Sequence, residues 1–196
     1  METTDETRDA IQYLTFRVRD EEYAISILHV REILPFTTAT RLPKTLPAIR
    51  GLINLRGGAV PVVDLALAFD LPAGAPTKRT CVIVVDVMID GEGTMMGVMA
   101  DAVNDVIALR ADEIEPTPRF AARVPEDFLQ GMAKIGSAFV PILDVQTLLS
   151  APEFLCHVGA AAETTEVEGA PLPESIPDPE PEAEPARPAR GKKAPR

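Results

Sequence analysis

One pattern of apolar residues, glycine and aspartate occurs twice in the sequence, at an offset of 80 residues and without a gap. The first copy contains Ile49, Gly51, Leu52 and Leu55 and ends in VPVVDL at 60–65; the second contains Leu129, Gly131, Met132 and Ile135 and ends in VPILDV at 140–145. Internal self-similarity of this kind is typical of chains built from related structural units. The repeat therefore predicts two similar sub-units rather than one continuous sheet.

Each copy has the local pattern of a hairpin followed by a short helix. In the first copy, residues 49–55 and 60–63 predict two strands, and Gly57 and Gly58 permit the tight turn between them. Asp64 and its counterpart Asp144 directly follow the second strand, where a carboxylate accepts hydrogen bonds from free amides at the start of a helix. We expect each to be a structural cap worth about 1 kcal/mol rather than half of an acid and base pair.

The two copies differ at the tip of the hairpin. The first copy has Asn54, Arg56 and Gly57 where the second has Lys134, Gly136 and Ser137. Residues that the fold requires recur in both copies, so the residues that occur once are candidates for a task beyond folding. They also fit a solvated turn whose residues vary freely.

The rest of the chain before residue 150 alternates between strand patterns and polar turns. Residues 11–18 and 23–27 predict an antiparallel hairpin. Ile27, Val30, Ile33 and Leu34 fall at helical spacing, which predicts a short helix ended by Pro35. The other predicted segments are an extended loop at 37–47, a hairpin of 81–89 with 95–99, and an exposed connection at 110–125.

Charge and composition exclude several classes of function. The formal net charge of −11 opposes binding to nucleic acid or to anionic lipid, since both require a cationic surface. Two cysteines are too few for a disulfide framework, which favours a reducing cytoplasm. No apolar run reaches about 18 residues, so we expect neither export nor a membrane span.

The acidic residues do not have the spacing of a metal site. Asp101, Asp105, Asp112 and Glu113 lack the glycine-punctuated, odd-position spacing of a calcium loop. His29 has no second His or Cys at metal-ligand spacing, so we interpret it as a surface or packing residue. We therefore expect no metal and no cofactor.

Composition also divides the chain into four segments. Residues 1–10 are polar and predict a disordered N-terminus, 11–150 predict the folded domain, and 151–158 its end. Residues 159–196 are rich in proline and acidic residues, with five cationic residues and no acid in the last ten. We expect this tail to be disordered because it lacks apolar residues to offset chain entropy. Its basic end fits a solubilising role, or contact with an acidic surface or nucleic acid.

Several spaced motifs carry a resemblance to a known family. NLRG at 54–57, followed after two residues by VPVVDL and preceded by EEYAISILHVREI at 21–33 and IRG at 49–51, resembles the CheW coupling proteins of bacterial chemotaxis. The resemblance covers about residues 11–150. It implies an all-β fold of two intertwined five-stranded SH3-like β-barrels, with short helices and a C-terminal helix, on a shared apolar core. It also implies a protein without a catalytic centre.

The resemblance further implies partners and the residues that contact them. Similar proteins join the cytoplasmic tip of chemoreceptors to the regulatory domain of the histidine kinase CheA. The positions that match their receptor and kinase contacts are Val30, Glu32, Asn54, Arg56 and Gly57. We expect Glu32 to hold the Arg56 guanidinium when no partner is bound. Gly58 and Ala59 stand where larger apolar residues are usual in such proteins, so we expect a more flexible strand leading into VPVVDL.

Two other functions also fit the sequence. One is an adaptor of a different array, controlling surface motility or development. The other is a small ligand-binding or enzymatic β-barrel, which would require a deep polar pocket with convergent titratable groups.

Overall fold

The computed structural model describes residues 10–117, 124–136, 138–152 and 154. The predictions for residues 1–9 and for the tail at 159–196 lie outside the described residues. The described chain forms eleven strands and two short α-helices. In chain order they are β1 (Ile11–Val18), β2 (Glu21–Ser26), β3 (Val30–Pro35), β4 (Ile49–Leu55), β5 (Gly58–Asp64), α1 (Leu65–Ala68), β6 (Cys81–Ile89), β7 (Glu92–Ala100), β8 (Ala102–Leu109), β9 (Ile114–Glu115), β10 (Leu129–Ile135), β11 (Ala138–Leu143) and α2 (Val145–Leu149).

The strands form two sheets of matching topology, which we call barrel 1 and barrel 2. Barrel 1 has the order β8-β1-β2-β11-β10-β9, and barrel 2 has the order β3-β6-β7-β5-β4. The N-terminal hairpin β1–β2 joins strands from the second half of the chain, whereas the hairpin β6–β7 joins strands from the first half. The barrels are thus intertwined, which confirms the all-β fold of two SH3-like barrels. The sixth strand of barrel 1, β9, has only two residues.

The sequence repeat appears in three dimensions as two hairpins of identical register. Ile49 pairs with Val63 in the first hairpin and Leu129 with Leu143 in the second, and each strand then bulges by one residue before its glycine. A Cβ atom on Gly51 would overlap the carbonyl oxygen of Thr40. A Cβ atom on Gly131 would lie 2.8 Å from the carbonyl oxygen of Glu115. Both glycines recur because a neighbouring segment crosses the bulge without room for a side chain.

The two barrels share one apolar core. Strand residues alternate between this shared core and a smaller cluster inside their own barrel. In β6, Ile83 and Val85 face the shared core while Val82 and Val84 face the cluster inside barrel 2. Strands buried on both faces have continuously apolar sequences, which explains the run at 81–85. Full burial of such side chains contributes about 1.5–3 kcal/mol each, so the shared core holds the barrels together.

Two segments differ from the sequence prediction. The predicted helix at 27–34 is wrong, since only Ile27–His29 is helical, as one 3-10 turn, and Val30–Pro35 is strand β3. The apolar residues of this short segment fit both the alternation of a strand and the spacing of a helix. Antiparallel pairing with β6 makes the segment a strand. Strand β8, paired with β1, was not predicted from AVNDVIAL because its polar middle weakens the strand pattern.

Candidate functional site

The tip of the β4–β5 hairpin is a two-residue turn made by Arg56 and Gly57. Leu55 pairs with Gly58 across its base, and the turn residues have φ values of 53° and 90°. Positive φ at both central residues is the type I′ geometry that matches the twist of the strands. The Asn54 side chain completes the turn, because its Oδ1 accepts a hydrogen bond from the Gly57 amide at 3.0 Å.

Arg56 is an unusual residue for its backbone conformation. At the same position of the second hairpin, Gly136 has a φ of 61°, and the β6–β7 hairpin places Asp90 there with a φ of 51°. Glycine, asparagine and aspartate are the usual residues in this left-handed region, and other residues cost about 1–2 kcal/mol. The β1–β2 hairpin also has an arginine there, Arg19 with a φ of 59°, but its side chain is paired with Asp101 and only 22% exposed. Arg56 differs from it in being 80% exposed.

Arg56 is held by one carboxylate across the opening of barrel 2. Its Nη2 lies 3.2 Å from Glu32 Oε2, which confirms the expected pairing. The Arg56 side chain is 80% exposed and that of Glu32 only 23%. Glu32 lies on β3 and Arg56 follows β4, the two edges of the sheet, so the ion pair spans the gap between them. An exposed pair of this kind contributes at most about 1 kcal/mol, so a partner can replace it easily.

A groove of mixed polarity continues from the hairpin tip between the same two edge strands. It has a volume of about 460 Å³. Its lining residues are Leu34, Pro35, Phe36, Thr37, Thr38, Thr40, Leu52, Ile53, Asn54 and Val82. None of these side chains is titratable. The groove lacks the convergent ionisable groups of an enzyme pocket and offers a surface for apolar side chains.

The structure places the other matched residue, Val30, somewhat apart from the tip. Val30 begins β3, pairs with Val85 of β6, and packs half-buried against the shared core. Glu32, Asn54, Arg56 and Gly57 are brought together at the open end of barrel 2, and Val30 lies two residues before Glu32 on the same strand.

The base of the first hairpin contains an ion pair that the sequence analysis missed. Asp64 is buried, and its Oδ1 accepts a hydrogen bond from the Ala66 amide at the start of α1. Its Oδ2 accepts a second bond from Arg50 Nε at 2.8 Å. Arg50 is the residue at the bulge of β4. Asp64 is thus both a helix cap and the partner of a cation that anchors the hairpin.

Asp144 has only the capping role at the equivalent place. Its Oδ1 accepts from the Thr147 amide at 3.0 Å and its Oδ2 from the Thr147 hydroxyl at 2.8 Å. The counterpart of Arg50 in the second copy is Gln130. Both aspartates cap their helices as expected, but they are not equivalent, because Asp64 alone also holds an arginine. The exchange of Arg50 for Gln130 was the signal in the sequence.

The described residues contain no group of three or more His, Cys, Asp or Glu side chains that could hold a metal ion. Burial raises the pKa of the Cys81 thiol, which makes this cysteine a poor nucleophile. Within the same part of the chain, no helix is long and apolar enough to cross a membrane.

Two SH3-like barrels on one shared core define an all-β, two-barrel protein. The family model described as the CheW-like domain matches residues 12–153. The chain is 35% identical to the chemotaxis protein CheW of Klebsiella aerogenes over 142 residues, which cover 72% of this chain and 83% of that protein. It is 32% identical to the chemotaxis protein CheW of Bacillus subtilis over 146 residues, covering 74% and 91%.

A solved structure is also similar. The crystal structure of the scaffolding protein TtCheW from Thermoanaerobacter tengcongensis superposes with a TM-score of 0.67 at 27% identity, covering 78% of this chain and 96% of that one. The chain belongs to the CheW family of chemotaxis scaffold proteins, and it is not an enzyme.

Proposed function

We propose that this chain joins the cytoplasmic tip of chemoreceptors to the regulatory domain of the kinase CheA, acting in the cytoplasm without catalysis. Its partner-binding residues are Val30, Glu32, Asn54, Arg56 and Gly57. The single observation that carries the proposal is Arg56, an exposed arginine held in a left-handed backbone conformation that the second hairpin gives to glycine. Local strain of this kind is typical of functional positions.

The chemistry of the tip suits a protein partner. A guanidinium offers a planar fork of donors that fits a carboxylate or backbone carbonyl groups. The turn fixes the direction of this fork, because Asn54 holds the Gly57 amide. The neighbouring groove offers apolar area, which supplies most of the free energy of association between proteins. A charged anchor beside an apolar surface is a common composition of interface hot spots.

In the free protein, the exposed ion pair with Glu32 holds the Arg56 guanidinium. Because this pair is exposed, its loss costs little when a partner carboxylate replaces Glu32. The guanidinium is then already close to its bound position, which reduces the ordering cost of binding.

Affinity purification from the native cell tests the proposal. Tagged parent chain should retain chemoreceptors and a CheA kinase, and the Arg56→Glu variant should lose them. Arg79→Glu is the matched control, since Arg79 is exposed in the loop after α1 and its side chain has no place in the proposed site. If the parent retains neither class of protein, the proposed function is wrong. If Arg56→Glu retains both as well as the parent does, Arg56 is not part of the binding site.

A further inference from the structure

The side-chain amide of Gln146 pairs with the backbone of Met88 in the way a neighbouring strand would. Gln146 Oε1 accepts a hydrogen bond from the Met88 amide at 2.7 Å, and Gln146 Nε2 donates to the Met88 carbonyl at 2.8 Å. Two residues that exchange both backbone bonds form the hydrogen-bonded pair of an antiparallel ladder. Here one glutamine side chain supplies both bonds, and we call this contact the Gln146 latch.

The latch lies where β6 has lost its neighbouring strand. Pairing between β3 and β6 ends at Val30 and Val85, whereas β6 continues to Ile89. The edge of β6 beyond Val85 would otherwise present unpaired backbone groups. Gln146 Nε2 also donates to the Ser150 hydroxyl at 2.8 Å, which fixes the orientation of the amide.

The latch connects the two barrels outside their shared core. Gln146 belongs to α2, which follows the last strand of barrel 1, and Met88 belongs to barrel 2. The counterpart of Gln146 in the first copy of the repeat is Ala66, which is buried and has no side-chain amide. The latch therefore occurs in one copy only, as the arginine at the hairpin tip does, although both α1 and α2 follow a capping aspartate.

We propose that Gln146 is a positioning residue for the partner-binding surface around Val30. This inference rests on the proposed function. Met88 lies three residues beyond Val85, the partner of Val30, and its side chain is 54% exposed. Leu28, two residues before Val30, is 80% exposed. The latch fixes the backbone at the end of β6. The surface around the paired residues Val30 and Val85 therefore has the same conformation before and after a partner binds, which lowers the ordering cost of binding.

Three variants test this role against the parent. Gln146→Ala removes the latch, Gln12→Ala is the control at an exposed glutamine of β1, and Val30→Ala identifies which partner depends on the Val30 surface. Affinities for a chemoreceptor tip fragment and for the CheA regulatory domain are measured by calorimetry, and exchange of the Met88 amide by NMR. We expect Gln146→Ala to accelerate that exchange and to weaken the Val30-dependent partner about five-fold, since coupling of this type changes affinities about 2- to 30-fold.

Gln146→Glu adds a readout that a purely structural role would not move. A protonated carboxyl can both donate and accept at Met88, as the amide does, whereas an ionised one can only accept. A hydrogen bond to the Met88 carbonyl favours the protonated carboxyl, so the affinity of Gln146→Glu should fall more steeply than that of the parent as the pH rises and the carboxyl ionises.

The outcomes separate this role from the proposed function. If Gln146→Ala and Gln12→Ala have equal affinity for both partners while Arg56→Glu and Val30→Ala lose affinity, Gln146 has no positioning role. If Arg56→Glu and Val30→Ala also bind as the parent does, these residues are not the binding site and the role of Gln146 falls with them. If the parent itself binds neither fragment, the proposed function is wrong.

Discussion

Arg56 and Gly136 occupy the same position of two hairpins of matching register and have similar φ values, 53° and 61°. The second hairpin uses the residue that this conformation favours, and the first does not. Because register and bulge are the same in both hairpins, the difference lies in the side chain at the tip. If Arg56 contacts the partners as we propose, stability and partner binding make opposite demands on this one residue.

Glycine at the tip should preserve the fold and remove the function. Arg56→Gly relieves the left-handed strain, so it should be more stable than Arg56→Ala by about 1 kcal/mol. This order is the reverse of the usual one, since glycine in a strand is generally less stable than alanine. Urea denaturation of both variants measures the difference. A more stable Arg56→Ala would show that the conformation carries no strain.

The two aspartates at the helix starts should differ in their contribution to stability. Asp144→Ala removes a cap and should cost about 1 kcal/mol. Asp64→Ala also leaves the Arg50 guanidinium half-buried without its carboxylate, so it should cost about 3 kcal/mol or more. Thermal unfolding of both variants gives the comparison, and equal losses would show that the Arg50 ion pair contributes nothing.

The glycine at the first bulge should be irreplaceable. Gly51→Ala places a methyl group against the Thr40 carbonyl at a φ of 133°, and we expect a loss of about 2–4 kcal/mol. Gly93→Ala is the matched control, because Gly93 has open space around its Cβ position and should lose about 0.5 kcal/mol at most. Chemical denaturation of both variants in parallel checks this. If Gly51→Ala and Gly93→Ala were equally stable, the backbone at Thr40 would have to move aside at little cost in free energy.

The tail at 159–196 should be dispensable for the fold. Its composition offers little apolar area to bury, so a chain ending at residue 158 should keep the melting temperature and the kinase affinity of the full chain. Hydrogen exchange on the full chain provides an independent check. Protected amides in the tail, or a lower melting temperature after truncation, would contradict the prediction.

The two hairpins could be predicted because the residues that specify them are close together in sequence and occur in both copies of the repeat. Gly51 with Gly131 and Asp64 with Asp144 recur at one offset, and turn glycines and β-branched runs mark the strands around them. Segment 30–35 was not predictable in this way, because its six residues fit the spacing of a helix as well as the alternation of a strand. The pairing that decides between them, Val30 with Val85, joins distant parts of the chain. Arg50 and Gln146 were missed for the same reason, since a bulge and an unpaired strand edge give these side chains their partners.

Titration of the receptor tip fragment and of the CheA regulatory domain against the parent, Arg56→Glu and Arg79→Glu tests the role of Arg56 most directly. The surface charge reversal should leave the free energy of unfolding within about 0.5 kcal/mol of the parent. Loss of a desolvated charged contact typically costs about 2–5 kcal/mol, so Arg56→Glu should lose at least about 30-fold in affinity while Arg79→Glu binds normally. Unchanged affinity of a folded Arg56→Glu for both partners would remove Arg56 from the binding site.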